Sequence, residues 1–339
     1  MQAQPDIAVP LDRARRFSVA PMIDWTDRHC RTLHRLLTRH ALLFTEMITT
    51  GAVIHGGAER HLAFGAHEGL VALQLGGSDP RELAEAIRIA APYGYAEINL
   101  NVGCPSDRVQ SGKFGACLMA EPELVAACVR AMRDATDLPV TVKCRIGIDD
   151  QDTEESLDRF ADAMVAAGVA ALYVHARKAW LQGLSPKENR TIPPLDYPRV
   201  HRLARRLAPL PMVINGGIEA LEQAEAHLEH MTGVMLGRAA YHTPMMLADV
   251  DARLFGDTHA VPDLAAVMAA MADYAETELA KGNKLNNIAR HMLGLANGRP
   301  GARQFRQILS VDACRPKTGP EVFERALAAV EDRGLAEAS

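Results

Sequence analysis

Eight short runs of apolar, largely β-branched residues recur along the first two-thirds of the chain. They are FSVA (17–20), LLFTEM (42–47), LVALQLG (70–76), EINLNV (97–102), PVTVKCRI (139–146), ALYVHA (171–176), PMVINGG (211–217) and GVMLGR (233–238). Near-continuous apolar character belongs to strands buried on both faces of a parallel sheet. Between them the period changes to 3.6: PRELAEAIRIAAPYG, EPELVAACVRAMRDAT and TEESLDRFADAMVAAG read as amphipathic helices. The first opens with Asp79 as N-cap, Pro80 at the first helical position and Glu82 closing a capping box. Eight strands alternating with helices predict an α/β fold, a (β/α)8 TIM barrel. The alternative is an open doubly wound sheet, which the lack of a GxGxxG after the first strand disfavours.

After Phe255 the strands stop. FGDTHAVP (255–262) reads as a linker, followed by four helical patterns: PDLAAVMAAMADYAETELA, LNNIARHMLGLA, ARQFRQILS and GPEVFERALAAVEDRG. The expected organisation is a catalytic barrel over 1–255 and a small all-α C-terminal domain over 258–339. The length of 339 residues suits it, since such a barrel takes roughly 250.

Composition narrows the class. Apolar residues make up 48% and charged residues 23%, the balance of a soluble globular enzyme. Neither a signal-peptide run nor an apolar stretch of membrane-spanning length is visible. The six cysteines form no CxxC and no Cys/His metal spacing, so a cytoplasmic protein with reduced thiols and no metal is expected. The sequence does not settle the oligomeric state, and a monomer is the working expectation. A net charge of −5 argues mildly against a nucleic-acid partner, but its distribution reverses this. Lys281 to Lys317 holds eight basic residues and a single acid, Asp312. Arg299, Arg303 and Arg306 have the spacing of one helical face if the helix extends that far. Such segregation favours phosphate contacts over a merely solvated face.

Active sites of TIM barrels form at the C-terminal ends of the strands. Here those ends carry Glu46, Gln74, Asn99, Asn101, Lys143, Arg145, His175, Asn215 and Arg238. Buried polar groups need partners, and so many converging on one rim call for a bound polar ligand. Gly216 and Gly217 after strand seven, and Gly237 and Arg238 after strand eight, form turns that suit a phosphate through bare N–H groups and a guanidinium. Lys143 and His175, on neighbouring strands, suit the N1 and C2-oxygen end of a flavin ring, where reduction places negative charge. Cys104, between Gly103 and Pro105 in a long loop expected to be mobile, is placed to donate a proton over such a ring. No hydrolase triad order or HExxH motif competes with it.

APMIDWTDRHCR, VALQLGG, INLNVGCPS, VKCRIG, YVHAR and VINGGI together resemble the tRNA-dihydrouridine synthases, over nearly the whole chain and in order. SPKENRTIPPLDY and ARQFRQIL resemble the A-type subfamily, which modifies uridines 20 and 20a of the D loop. The resemblance implies flavin mononucleotide (FMN) held by the backbone at Pro21, Met22 and Ile23, with Gln74 against the ring. It implies Lys143 and His175 at the pyrimidine end and ribityl chain, and Asn215, Gly216, Gly217, Gly237 and Arg238 at the phosphate. NADPH would be the reductant, Cys104 the proton donor, and Asn101, Lys187, Arg190, Arg303 and Arg306 the tRNA contacts. Two rival readings remain: an FMN barrel acting on a free pyrimidine, and a non-catalytic RNA-binding protein.

Overall fold

A computed structural model describes residues 9–106, 109 and 112–337. Eight parallel strands close into a barrel in sequence order, β1 pairing with β8. They are β1 Phe17–Val19, β2 Leu42–Thr49, β3 Val71–Gly76, β4 Glu97–Val102, β5 Val140–Arg145, β6 Leu172–His175, β7 Met212–Asn215 and β8 Gly233–Leu236. β2 runs two residues beyond the apolar run, because a register shift between Phe44 and Met47 bulges the strand against β3. The Thr45 hydroxyl in that bulge accepts from the Gln74 N–H at 3.0 Å.

Several helices start on a side-chain cap. Asp79 accepts from the N–H groups of Arg81 and Glu82 at the head of Pro80–Ala90, and Asp27 does the same for Arg28–Leu37. The expected capping box is not formed: the Glu82 carboxylate accepts instead from the Thr50 hydroxyl at 2.8 Å.

Alternate strand residues face the barrel axis, and here that column is polar. Arg15 donates to Glu97 at 2.8 Å, Glu97 accepts from Thr141 at 2.6 Å, and Thr141 accepts from Asn99 at 2.9 Å. Asn99 accepts from Gln74 and Gln74 from Asn101, each at 2.8 Å. A chain of hydrogen bonds thus runs along the barrel axis from Arg15 at its base to Asn101 at its mouth, although Arg15 Nη2 and the Tyr173 hydroxyl have no partner among the described residues.

Past the barrel lie the helices Leu264–Ala280, Leu285–Ala289, Ala302–Val311 and Glu321–Glu337. The LNNIARHMLGLA pattern is helical only to Ala289 and continues as successive turns. The reason is close packing: a Cβ on Gly294 would lie 2.2 Å from the His242 carbonyl oxygen. Arg299 also lies outside the following helix, whose N-cap is Gly301 at φ +79. A Cβ on Gly301 would meet the Ala329 carbonyl oxygen at 2.1 Å, so only glycine admits this turn. The helices dock on Arg28–Leu37. Arg28 pairs with Glu278, His29 hydrogen-bonds Tyr274 at 2.7 Å, and Arg290 pairs with Asp27 at 2.6 Å. Among the described residues no helix is long and apolar enough to cross a membrane.

Candidate active site

A cavity of about 440 Å3 opens at the C-terminal ends of the strands. From the β1 loop it is lined by Pro21, Met22 and Ile23, from β3 by Gln74, and from β4 by Asn101 and Cys104. Lys143 and Arg145 of β5 and His175 of β6 form its far wall. Asn215, Gly216 and Gly217 after β7, Gly237 and Arg238 after β8, and Arg190 of the β6 loop complete it. Residues 217 positions apart in the chain, Pro21 and Arg238, thus share one surface because β1 closes on β8. Lys187 is exposed and does not line the cavity. Arg303 and Arg306 are exposed on the Ala302–Val311 helix, away from it.

Lys143 donates to Asn215 Oδ1 at 3.1 Å, and Asn215 donates in turn to the Met235 carbonyl at 2.7 Å. Burial, reinforced by Arg145, pushes the Lys143 ammonium down to about 8. His175 is buried among the cations Arg145, Lys143, Arg177 and Arg238; burial first, then these charges, hold it well below the usual imidazole range. It is neutral near pH 7, and its Nδ1 has no hydrogen-bond partner among the described residues. An orphaned imidazole nitrogen and a costly ammonium on one wall fit the electron-rich edge of a flavin ring.

The β7 and β8 turns fit an anion. Gly216 has φ +107 and Gly217 φ +70, conformations that keep the chain bare of Cβ beside His175. A Cβ on Gly216 would stand 3.0 Å from His175 Nε2. Lys143, Arg145, Arg190 and Arg238 outnumber Asp24 and Glu219 among the charged lining residues, so the cavity is cationic.

Cys104 is half-buried, and its thiol donates to the Ser106 hydroxyl at 3.6 Å. Asn101 sets its backbone: Oδ1 accepts from the N–H groups of Gly103 and Cys104 at 3.1 and 3.0 Å. With one Nδ2 hydrogen given to Gln74, a single N–H of Asn101 remains for a ligand. Asp107, Arg108, Gln110 and Ser111, in the loop expected to be mobile, lie outside the described residues.

Sequence reasoning about the site missed one structural residue and undervalued another. Asn189, fully buried, bonds Trp180 through both amide and carbonyl, and Leu184, organising the loop that carries Lys187 and Arg190. Arg145 was legible only as one more polar strand end, yet it bonds three loop carbonyls. The β1 loop adds Trp25, which also lines the cavity and stacks on Tyr241 with centroids 4.4 Å apart.

The sequence matches the family model of the dihydrouridine synthases (Dus) over residues 18–330. It is 58% identical over 319 residues to the tRNA-dihydrouridine(20/20a) synthase of Escherichia coli strain K12, covering 94% of this chain and 92% of that one. The enzyme of the same name from Shewanella oneidensis is 57% identical over 317 residues, covering 94% of each. Among solved structures, the fold resembles an old yellow enzyme homologue from Zymomonas mobilis. The TM-score is 0.52 at 13% identity, over 73% of this chain and 90% of that one.

Proposed function

Because the chain belongs to the dihydrouridine synthase family, we propose that it reduces uridine to 5,6-dihydrouridine in the tRNA D loop, at positions 20 and 20a. The observation that carries this reading is one cavity holding a cationic glycine-turn cradle, a neutral imidazole with a free nitrogen, and a cysteine at the mouth. The cofactor is a flavin, which we assign as FMN, with NADPH as reductant.

When bound in this cavity, FMN would supply the hydride chemistry for reduction at C6 of the uracil. The chain does the rest. Gly216, Gly217, Gly237 and Arg238 hold the phosphate, with Asn215 beside them. Lys143 and His175 would hold the pyrimidine edge of the ring, and Gln74 would offer it its remaining N–H. Pro21, Met22 and Ile23 would hold the ring with the backbone of the β1 loop. The Cys104 thiol gives its proton to C5 and recovers it from water, so two hydrogens are added across the C5–C6 bond.

The target base must leave the folded RNA to enter the cavity. Arg190 and Lys187 at the mouth and Arg303 and Arg306 on the helical region (258–339) take the phosphates, while the spare N–H of Asn101 meets the uracil edge. Arg303 and Arg306 carry no ion pair among the described residues, whereas Arg290, Lys281 and Arg315 are neutralised by Asp27, Glu278 and Asp312. An enzyme for a free pyrimidine has no use for such cations. We place the enzyme in the cytoplasm, acting as a monomer.

The test is direct. Purified protein should show flavin absorbance, and after NADPH reduction it should be reoxidised anaerobically by tRNA but not by uridine or orotate. Loss of dihydrouridine at positions 20 and 20a in cells lacking the gene would agree. Reoxidation by free pyrimidine alone would overturn the reading.

A further inference from the structure

The peptide bond that precedes Cys104 is held from both sides. Its N–H, on Cys104, donates to Asn101 Oδ1 at 3.0 Å. Its carbonyl, on Gly103, accepts from Arg145 Nε at 3.1 Å. The same guanidinium, through Nη1, donates to the carbonyls of Asn189 at 2.9 Å and Lys178 at 3.2 Å. Asn189 immediately precedes Arg190. Arg145 is 4% exposed and has no ion pair among the described residues, so backbone oxygens are its only compensation. A buried arginine without a carboxylate is an expensive way to fasten two loops, since apolar packing does so without desolvating a charge. What a guanidinium offers instead is a rigid fork whose donors address two chains at fixed angles.

We infer that Arg145 is a positioning residue that joins the Cys104 loop to the loop carrying Lys187 and Arg190. Engagement of an RNA phosphate by Arg190 then sets the Gly103–Cys104 peptide, and with it the thiol, over C5 of the uracil. The inference rests on the dihydrouridine synthase reading. Lysine cannot replace arginine here: it keeps the charge, but a single ammonium does not span carbonyls on two loops.

The experiment uses the flavoenzyme carrying Arg145→Lys and, separately, Asn189→Ala, which loosens the second loop without touching Gly103. Both should retain flavin and be reduced by NADPH at close to the wild-type rate. Single-turnover reoxidation by tRNA should slow by about tenfold or more in each. A second readout is independent of turnover: iodoacetamide labelling of Cys104, followed by mass spectrometry without tRNA, should rise several-fold. Exposed Cys314 serves as the internal control. Labelling and reoxidation within about twofold of wild type in both variants would overturn the inference. Loss of flavin or of the NADPH step in both would also overturn it, reducing Arg145 to a strut of the barrel. Failure of the wild-type enzyme to be reoxidised by tRNA would instead sink the underlying reading.

Discussion

Lys143 Nζ donates to Oδ1 of Asn215 at 3.1 Å, joining β5 to β7 across β6. No carboxylate pairs with this ammonium among the described residues, so its charge awaits an anionic ligand.

The pH dependence of Lys143 follows in two opposite senses. Its pKa is about 8 in the flavin-free fold, against about 10.4 when unfolded. Over that window the unfolded chain binds more protons, so the stability of flavin-free protein should rise with pH. If Lys143 holds FMN as proposed, the bound state favours the ammonium, so FMN affinity should fall as pH climbs through about 8. Lys143→Met should flatten both curves and weaken FMN binding roughly ten- to hundredfold, the worth of a hydrogen bond to a charged group. Thermal unfolding and flavin fluorescence titrations across pH check this; constant wild-type affinity up to about pH 9.5 would contradict it.

Phosphate binding is best tested at Gly237. At Gly217 a side chain meets a left-handed φ of +70 and Leu195 Cδ1 at 2.5 Å, so a substitution there disturbs the turn itself. A Cβ on Gly237 meets only Met22 Sδ at 3.5 Å and Ala20 Cβ at 3.6 Å. Gly237→Asp therefore puts a carboxylate beside the phosphate with little clash, and should lower FMN affinity more than Arg238→Ala, which should lose about tenfold. Equal or tighter binding by Gly237→Asp would remove the phosphate from this turn.

Cys104→Ala should keep FMN, NADPH-driven reduction and tRNA affinity. Reoxidation by tRNA should fall by roughly 10² to 10⁴, the range of general acid catalysis. Cys104→Ser should keep a little activity, because a hydroxyl is a far weaker acid. Cys117, whose thiol donates to the Phe114 carbonyl at 3.2 Å, is the control, and Cys117→Ala should be nearly silent. Stopped-flow flavin absorbance separates these; a fast Cys104→Ala places the proton donor elsewhere.

Arg303→Ala and Arg306→Ala should each weaken tRNA binding and lower the slope of log K against log salt by about one, leaving NADPH oxidation unchanged. Arg306 also donates to Asn297 Oδ1 at 2.9 Å, which pre-sets its side chain. If filter binding at several salt concentrations shows the double variant unchanged, this helix does not meet RNA.

The alternation of short β-branched apolar runs with helical patterns was enough to number the strands, because strands buried on both faces lose polar alternation and their shortness and composition separate them from helices. β4 and its neighbours fall within a residue or two of the runs. It also placed Gln74, Lys143, His175 and Asn215 on one rim, since the barrel puts every strand's C-terminal end on the same side. Periodicity failed after Ala289, where the apolar pattern continues but Gly294 packs against the His242 carbonyl. It failed again at Arg299, which the Gly301 turn removes from the helix.

What periodicity reports is the face a residue occupies, not the partner it finds there. Asn101 and Arg145 read alike in the sequence, as polar groups near strand ends. Folding sends one to the N–H groups of Gly103 and Cys104 and the other to carbonyls of Gly103, Lys178 and Asn189. The partners of Asn101 are two and three positions away, whereas those of Arg145 lie 33 to 44 positions away, and only the pairing of β5 with β4 and β6 brings them within hydrogen-bonding reach. The chain's own pattern therefore specifies a barrel with a polar mouth and a cysteine in it. Which groups hold that cysteine in place is settled by tertiary contacts, because hydrogen bonds depend on ångströms that no one-dimensional pattern encodes.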